Sequence, residues 1–415
     1  MCGFWFQTSV FLEMYLAYDT IVDIRVSSPD VVELPAITVC NNNRVMRTKI
    51  CLDSPEVCIW ENDKRVFCSL WPKYCLHGLP EDDESIVKAR IPITTAIMKA
   101  NRSLEYLLKY GQMKRDDIIE HCSLQSDVRI QCDRFVHFQA ADNFGYPNNC
   151  YSIESLWERP NTMPRVIPIT AKYDLWLSTH PEEYVKHDDL VLVNFLLHSP
   201  FALSNPMREG ITLEGGKAYN IYMTMVTNQR LPFPYQTNCS DYLEQWRRNG
   251  GRGPLNAKTC QENCAIENMM KEIGCVPQSI SYPNNNTICV DGGIFPSKEL
   301  RMACSEECSE ACKDSSYTLR VEVAKDLSVK CGEKDLNCKY EKILIHLIFN
   351  RFQVTEFVNQ PRFESIELFS YIGGYMGMWL GVSLVALFDF LETLAYLLSY
   401  PLLRSPNTSF CCITY

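Results

Sequence analysis

Residues 368–388 read LFSYIGGYMGMWLGVSLVALF, 21 residues without a formal charge. At about 1.5 Å of rise per residue, a helix of that length crosses a hydrocarbon core of about 30 Å. The stretch therefore predicts a membrane helix. A buried soluble helix is the competing reading, and it is weakened because the apolar run resumes as Thr393 to Leu403 after only Asp389 and Glu392. Carboxylates inside a span cost roughly a few kcal/mol each and face a water-filled path.

Working back to the other end, residues 1–12 (MCGFWFQTSVFL) are also uncharged but only about half a span in length. No basic region and no small-residue cleavage site marks a signal peptide. The segment reads as the outer half of a first membrane helix, partial over residues 1–14 and truncated at its N-terminal side. Tyr15 and Tyr18 fall where amphipathic rings favour the membrane interface.

Between these ends the cysteines decide the compartment. Of 21 in the chain, eighteen lie from Cys40 to Cys338, and that density in one region belongs to an oxidising environment. Sequons at Asn101 and Asn285 share the region, while the one at Asn238 includes Cys239, whose disulfide would block it. Residues 15–366 read as one extracellular, cysteine-rich domain, with 367–400 as the second membrane helix and 401–415 as a short cytoplasmic tail. Both termini then face the cytoplasm. A net charge of −10 without a basic stripe excludes a nucleic-acid partner and concentrates cations near the surface.

Residues 34–40 read as a strand entering the domain, and segments 190–198, 216–231, 317–325 and 343–358 are β-rich, several with alternating apolar residues, and predict a central sheet. Residues 85–110 look helical in their second half, closed by Gly111. The densest cysteines carry geometry. Cys260 and Cys264 are four apart, as are Cys304 and Cys308, so each pair shares one helix face. Bridges Cys260–Cys308 and Cys264–Cys304 have equal residue-number sums, as rungs between antiparallel helices require, and the narrow Cα separation of a disulfide fixes that register. Cys239–Cys312 and Cys275–Cys289 extend the nested set. A zinc cluster would need CxxC pairs or nearby histidines, which are missing.

At this point the sequence resembles the degenerin/epithelial sodium channel family, as an invertebrate-like member. Leu34-Pro35-Ala36-Ile37-Thr38-Val39-Cys40-Asn41 is similar to the motif following the family's first helix, and Phe144-Gly145 with Cys150-Tyr151 to its palm signature. Gln229-Arg230-Leu231, Pro234-Tyr235 and Cys239 resemble the opening of its thumb, which would span about 239–312. The most specific resemblance is Ile372 to Ser383, with Gly381-Val382-Ser383 as the Gly-x-Ser filter. The resemblance implies an α+β membrane protein: two transmembrane helices flanking a disulfide-rich domain of palm sheet, helical thumb and finger. It implies bridges Cys40–Cys150 and Cys122–Cys132, to which the expected set adds Cys331–Cys338. It also makes Tyr18 and Tyr235 a gating wrist. Gly373, Gly374 and Gly377 would break the pore helix, with Gly381, Val382 and Ser383 lining the filter and Asp389 and Glu392 forming acidic rings. The implied function is passive sodium conduction across the plasma membrane by a homo- or heterotrimer, blocked by amiloride-type compounds, gated through the outer domain and requiring no cofactor.

Departures from the family pattern are visible. His77-Gly78 lies in the wrong region to be the family's cytoplasmic gating motif. Gly274-Cys275 replaces a Cys-x-Cys, Ala386 replaces a frequent hydroxyl residue, and Glu367 falls near a position where many members carry a small side chain. Three other readings compete. An ATP-gated trimeric channel would need a lysine-rich nucleotide site, and a non-conducting receptor or regulatory subunit would have no use for glycines and acids inside a span. An enzyme would need a motif such as GxSxG, HExxH or a P-loop, and the histidines, His346 included, lack catalytic partners in the sequence.

Overall fold

The structure is a computed structural model that describes residues 2–55, 63–79, 81, 108–126, 129–184, 191–290, 293–332, 335–349 and 352–403. Asn101, Cys58 and most of the helical segment expected at 85–110 lie outside the described residues. The chain forms two compact units. One comprises Met1–Asp23, Leu231–Asn238 and Asn359–Tyr415, and the other Ile24–Arg230 with Cys239–Val358.

The larger unit is built on strands. In chain order they begin with β1 (Thr20–Ser27), β2 (Val31–Glu33), β3 (Ala36–Asn41), β4 (Ile119–Gln125) and β5 (Arg129–Gln131). Next come β6 (Phe135–Ala141), β7 (Pro147–Ile153), β8 (Val166–Pro168), β9 (Lys172–Ser178) and β10 (Leu192–His198). The last are β11 (Ile211–Glu214), β12 (Lys217–Gln229), β13 (Lys313–Asp326), β14 (Lys342–Ile348) and β15 (Val354–Pro361). Two main sheets result, where a single central one was expected. The first runs β1-β15-β12-β14-β9-β4-β5 with β13 also on β12, the second β11-β10-β3-β7-β6, and β2 pairs with β8.

β12 organises the first sheet. Along one edge it pairs antiparallel with β13 from Lys217↔Asp326 to Gln229↔Lys313. Along the other it pairs parallel with β14 over its first half and with β15 over its second. The expected strand 343–358 is therefore two strands, which meet successive halves of one partner. In β14 the period-two pattern puts Ile343, Ile345 and Leu347 in the core at no more than 1% exposure. Its alternate residue His346 donates from Nδ1 to Asp174 Oδ1 at 2.6 Å.

The second sheet explains the Cys40 segment. β3 lies between β10 and β7 and is buried along its whole length, its polar Thr38 and Asn41 included. Cys40 faces Cys150 and is bonded to it. Polar groups here are paired internally. Asn41 Nδ2 donates to the Thr179 carbonyl at 2.9 Å, and its Oδ1 accepts from Tyr184 Oη at 3.0 Å and Asn43 N at 2.9 Å. His198 Nδ1 donates to the Ser199 carbonyl at 2.8 Å, leaving Nε2 to accept from Thr38 Oγ1 at 2.6 Å. Both ring nitrogens are thus used by the neutral form, and burial pushes the imidazole down to about 4.

Helices number α1 (Cys2–Leu16), α2 (Ala257–Glu272), α3 (Lys298–Glu307), α4 (Ser365–Leu380) and α5 (Leu384–Leu403), with shorter ones left unlabelled. Asn256 caps α2 by accepting from Thr259 N at 2.8 Å, and Ser297 caps α3 by accepting from Leu300 N at 3.1 Å. The two are joined by Cys260–Cys308 and Cys264–Cys304, both with Cα separations of 5.8 Å. Among the described residues the bridges also include Cys68–Cys75, Cys122–Cys132, Cys239–Cys312, Cys275–Cys289 and Cys331–Cys338. The domain is β-rich and disulfide-rich.

Candidate functional site

The smaller unit contains α1, α4, α5 and the loop Leu231–Asn238. The apolar stretch that opened the sequence reading is not one straight helix. α4 ends at Gly381, which takes the left-handed conformation (φ 64°, ψ 16°) and donates its N–H to the Gly377 carbonyl at 3.2 Å. That geometry is natural for glycine at a helix C-terminus. Two residues later Ser383 starts α5: its Oγ accepts from Ala386 N and its carbonyl from Leu387 N, both at 3.1 Å. The Gly-x-Ser motif is thus a helix stop followed by a helix start, and the axis turns by 90° across it. No single helix among the described residues is long and apolar enough to cross a membrane, whereas Ser365–Leu380 and Val385–Leu398 together meet that test as a bent pair.

This corrects the expectation for Gly373, Gly374 and Gly377, which lie inside the unbroken helix α4. A methyl group at Gly374 or Gly377 would meet nothing within 4 Å. What breaks the helix is the αL residue at 381, because only there does the backbone leave the helical region. Asp389 and Glu392 lie on α5, both exposed. Thr393 Oγ1 donates to the Asp389 carbonyl at 2.7 Å. Val382 and Ser383 are also exposed.

α1 packs on α4 along a seam that the sequence reading missed. Gly3, Gln7, Phe11 and Tyr15 recur every four residues and so share one helix face. At Gly3 a methyl would come within 2.6 Å of the Trp379 ring, so only glycine admits that indole. Gln7 Oε1 accepts from Trp379 Nε1 at 2.7 Å. Phe11, 2% exposed, meets the rings of Phe363, Tyr371 and Tyr375 at centroid distances of 5.2, 4.4 and 6.4 Å. Tyr15 Oη lies 3.4 Å from Ser365 Oγ.

Beyond the C-terminal end of α1, two tyrosine rings meet. Tyr18, at φ 51°, meets Tyr235 edge to face with centroids 5.6 Å apart. A polar clasp that no motif announced surrounds it. The Asp19 carboxylate accepts from Arg362 Nη1 at 3.1 Å and from Gln236 Nε2 at 2.8 Å, and the Asp19 carbonyl accepts from Arg362 N at 2.9 Å. One acidic side chain thus joins the end of α1, the 231–238 loop and the approach to α4. Its signal in the sequence is only that Asp19 and Arg362 are opposite charges just outside the two apolar stretches.

The described residues thus form a β-rich, disulfide-stapled unit and a smaller unit whose apolar helix pair is broken at the Gly-x-Ser motif. The family comparison places the chain: residues 1–393 match the family described as amiloride-sensitive sodium channel, and the chain belongs to that family. Among its relatives, the epithelial sodium channel subunit beta-2 of Xenopus laevis is 21% identical over 373 residues, 83% of this chain and 54% of that protein. Degenerin del-1 of Caenorhabditis elegans is 20% identical over 308 residues, 68% of this chain and 44% of that one. The chain spans about half the length of the curated relatives it matches. A solved structure of a proton-activated chloride channel aligns over 93% of this chain and 89% of its own with 7% identity, but a TM-score of 0.33 carries no argument about fold.

Proposed function

We propose that this chain is a non-enzymatic subunit of a sodium channel of the plasma membrane, assembled as a homo- or heterotrimer with related subunits. The observation that carries this reading is the family match over residues 1–393, which runs through the helix break at Gly381-Val382-Ser383. In this reading α1 and the bent pair α4–α5 lie in the bilayer, with residues 15–366 outside the cell. The left-handed Gly381 ends its helix without its carbonyl entering the next one, so that carbonyl and its neighbours are free to replace part of an ion's hydration shell. Asp389 and Glu392 of the three subunits form acidic rings that attract cations. Amiloride-type block comes with the family. Gating passes from the disulfide-stapled α2–α3 pair and the β12–β15 pairing to the 231–238 loop, and through the Tyr18–Tyr235 contact to the helices.

The test is electrical. The chain, alone and with related subunits, is produced in oocytes, and currents are recorded on replacing sodium and adding amiloride. A chain that reaches the surface yet carries and alters no current in any combination sinks the proposal and favours a non-conducting receptor. With current in hand, Asp389→Asn together with Glu392→Gln lowers inward sodium current at unchanged surface level; equal currents remove the acidic rings from the account.

A further inference from the structure

The 231–238 loop presents a side chain that the wrist contact does not use. Its ends are pinned together: Leu231 N donates to Thr237 Oγ1 at 3.1 Å, and that hydroxyl donates to the Leu231 carbonyl at 2.6 Å. Within this closure Tyr235 N donates to the Pro232 carbonyl at 3.1 Å, and Asn238 N to the Tyr235 carbonyl at 2.9 Å. Tyr235 turns inward to Tyr18 and Gln236 to Asp19. Phe233, held between Pro232 and Pro234, turns outward and is 81% exposed. A phenyl ring fixed by two prolines on a pinned turn has little conformational freedom left to lose on binding, and in water it is uncompensated apolar surface.

Its surroundings name the partner. The loop belongs to the same compact unit as α1, α4 and α5, at the level where α1 has just ended and α4 is about to begin. Tyr15, Tyr18, Tyr235 and Phe363 lie there beside Asp19, Arg362 and Gln236. Within two turns of the α4 start, Ile366 and Phe369 are 69% and 64% exposed. Aromatic rings mixed with charges next to exposed apolar helix residues mark the headgroup level of a bilayer. We propose that Phe233 inserts into the outer lipid interface and anchors the gating loop to the membrane surface, so that bilayer packing acts on the Tyr18–Tyr235 contact. This rests on the membrane reading above.

The experiment places the photoreactive residue p-benzoylphenylalanine at position 233 of the full chain in cell membranes, with Phe388 as a reference in α5 and Phe144, 77% exposed in the other unit, as a second. After illumination, lipid and protein adducts are identified by mass spectrometry. Lipid adducts at 233 and 388 but not at 144 are the expected result. Adducts at 388 alone leave the membrane reading standing and overturn this one, as does a covalent link from 233 to another subunit. Lipid adducts at neither 233 nor 388 overturn both. In recordings from liposomes, Phe233→Ser reduces the change in open probability between short-chain and long-chain phosphatidylcholine by several-fold; an undiminished change counts against the anchor.

Discussion

Replacing Gly216 by alanine isolates what the centre of the larger unit demands of one residue. Gly216 lies in the tight turn from β11 into β12 with φ +79°, and a methyl there would overlap the Lys339 carbonyl oxygen and approach its carbon to 3.1 Å. The backbone cannot retreat cheaply. Gly216 N donates to the Lys342 carbonyl at 2.8 Å, and the Gly216 carbonyl accepts from Leu327 N at 2.7 Å, so a shift costs the anchors that set β12 between β14 and β13. Left-handed backbone costs an alanine about 1–2 kcal/mol, and forcing extra volume into packed surroundings about 1–3 kcal/mol. The sum of roughly 2–5 kcal/mol lowers the thermal midpoint of the full chain in detergent by roughly 4–10 °C, at about 2 °C per kcal/mol for a large domain. Gly250 and Gly274 supply the comparison, with φ of +68° and +72° but nothing within 4 Å of an added methyl. Alanine at either meets the backbone cost alone, about 1–2 kcal/mol. The midpoints, read by size-exclusion after graded heating, then fall in the order wild type, Gly250→Ala and Gly274→Ala together, and Gly216→Ala lowest. A Gly216→Ala midpoint equal to the other two refutes the argument, because the Lys339 carbonyl would then exert no constraint.

The remaining predictions concern the core, the ladder and the wrist. His198 is neutral when folded, with its pKa down at about 4 against an ordinary 6.5, so its contribution is fully present above pH 6.5 and is lost as pH falls toward 4. About 3 kcal/mol is at stake; the wild-type midpoint should drop over that window by more than that of His198→Gln, and parallel curves would contradict it. Removing either α2–α3 rung leaves the other closing the helices, so the first deletion costs about 2.5 kcal/mol and deletion of both more than twice that, since the final rung, lying between Cys239–Cys312 and Cys275–Cys289, closes a loop of roughly 30 residues worth about 3.5 kcal/mol. Additive or smaller losses in paired Cys→Ser variants would disprove the ladder's redundancy. At the wrist, a double-mutant cycle of Tyr18→Ala and Tyr235→Ala should give a coupling of about 0.5–1.5 kcal/mol, whereas strict additivity would mean the rings touch without consequence.

What the sequence disclosed follows from which features keep a fixed spacing. Cys260, Cys264, Cys304 and Cys308 were legible because a helix turns every 3.6 residues and a disulfide tolerates little misfit. β14 was legible because one of its faces is buried more deeply than the other. β3 and β10 were read as strands but not as members of a second sheet, since a strand covered on both faces shows no alternation to say which neighbour it serves. The α1 seam was hidden for a related reason: apolar residues occur on every side of α1 and polar ones are scattered among them, so the face carrying Gly3, Gln7, Phe11 and Tyr15 is distinguished only by what it touches.

The Gly381-Val382-Ser383 motif gives the most consequential case. Four glycines between 373 and 381 are equivalent as letters, and composition favours a break at the doublet Gly373-Gly374. A helix ends, however, where an αL residue can be followed by a new cap, and of the four only Gly381 has an N-capping residue, Ser383, two places on. Ser383 therefore holds two positions at once. Its Oγ accepts from Ala386 N at 3.1 Å, and its carbonyl accepts from Leu387 N at 3.1 Å. A change at Ser383 disturbs the start of α5, and with it the placement of Asp389 and Glu392, before it alters any direct contact with an ion. Ser383→Asn keeps a capping oxygen without a hydroxyl, whereas Ser383→Ala removes both, so comparing the two separates the geometry of the break from the chemistry of the hydroxyl.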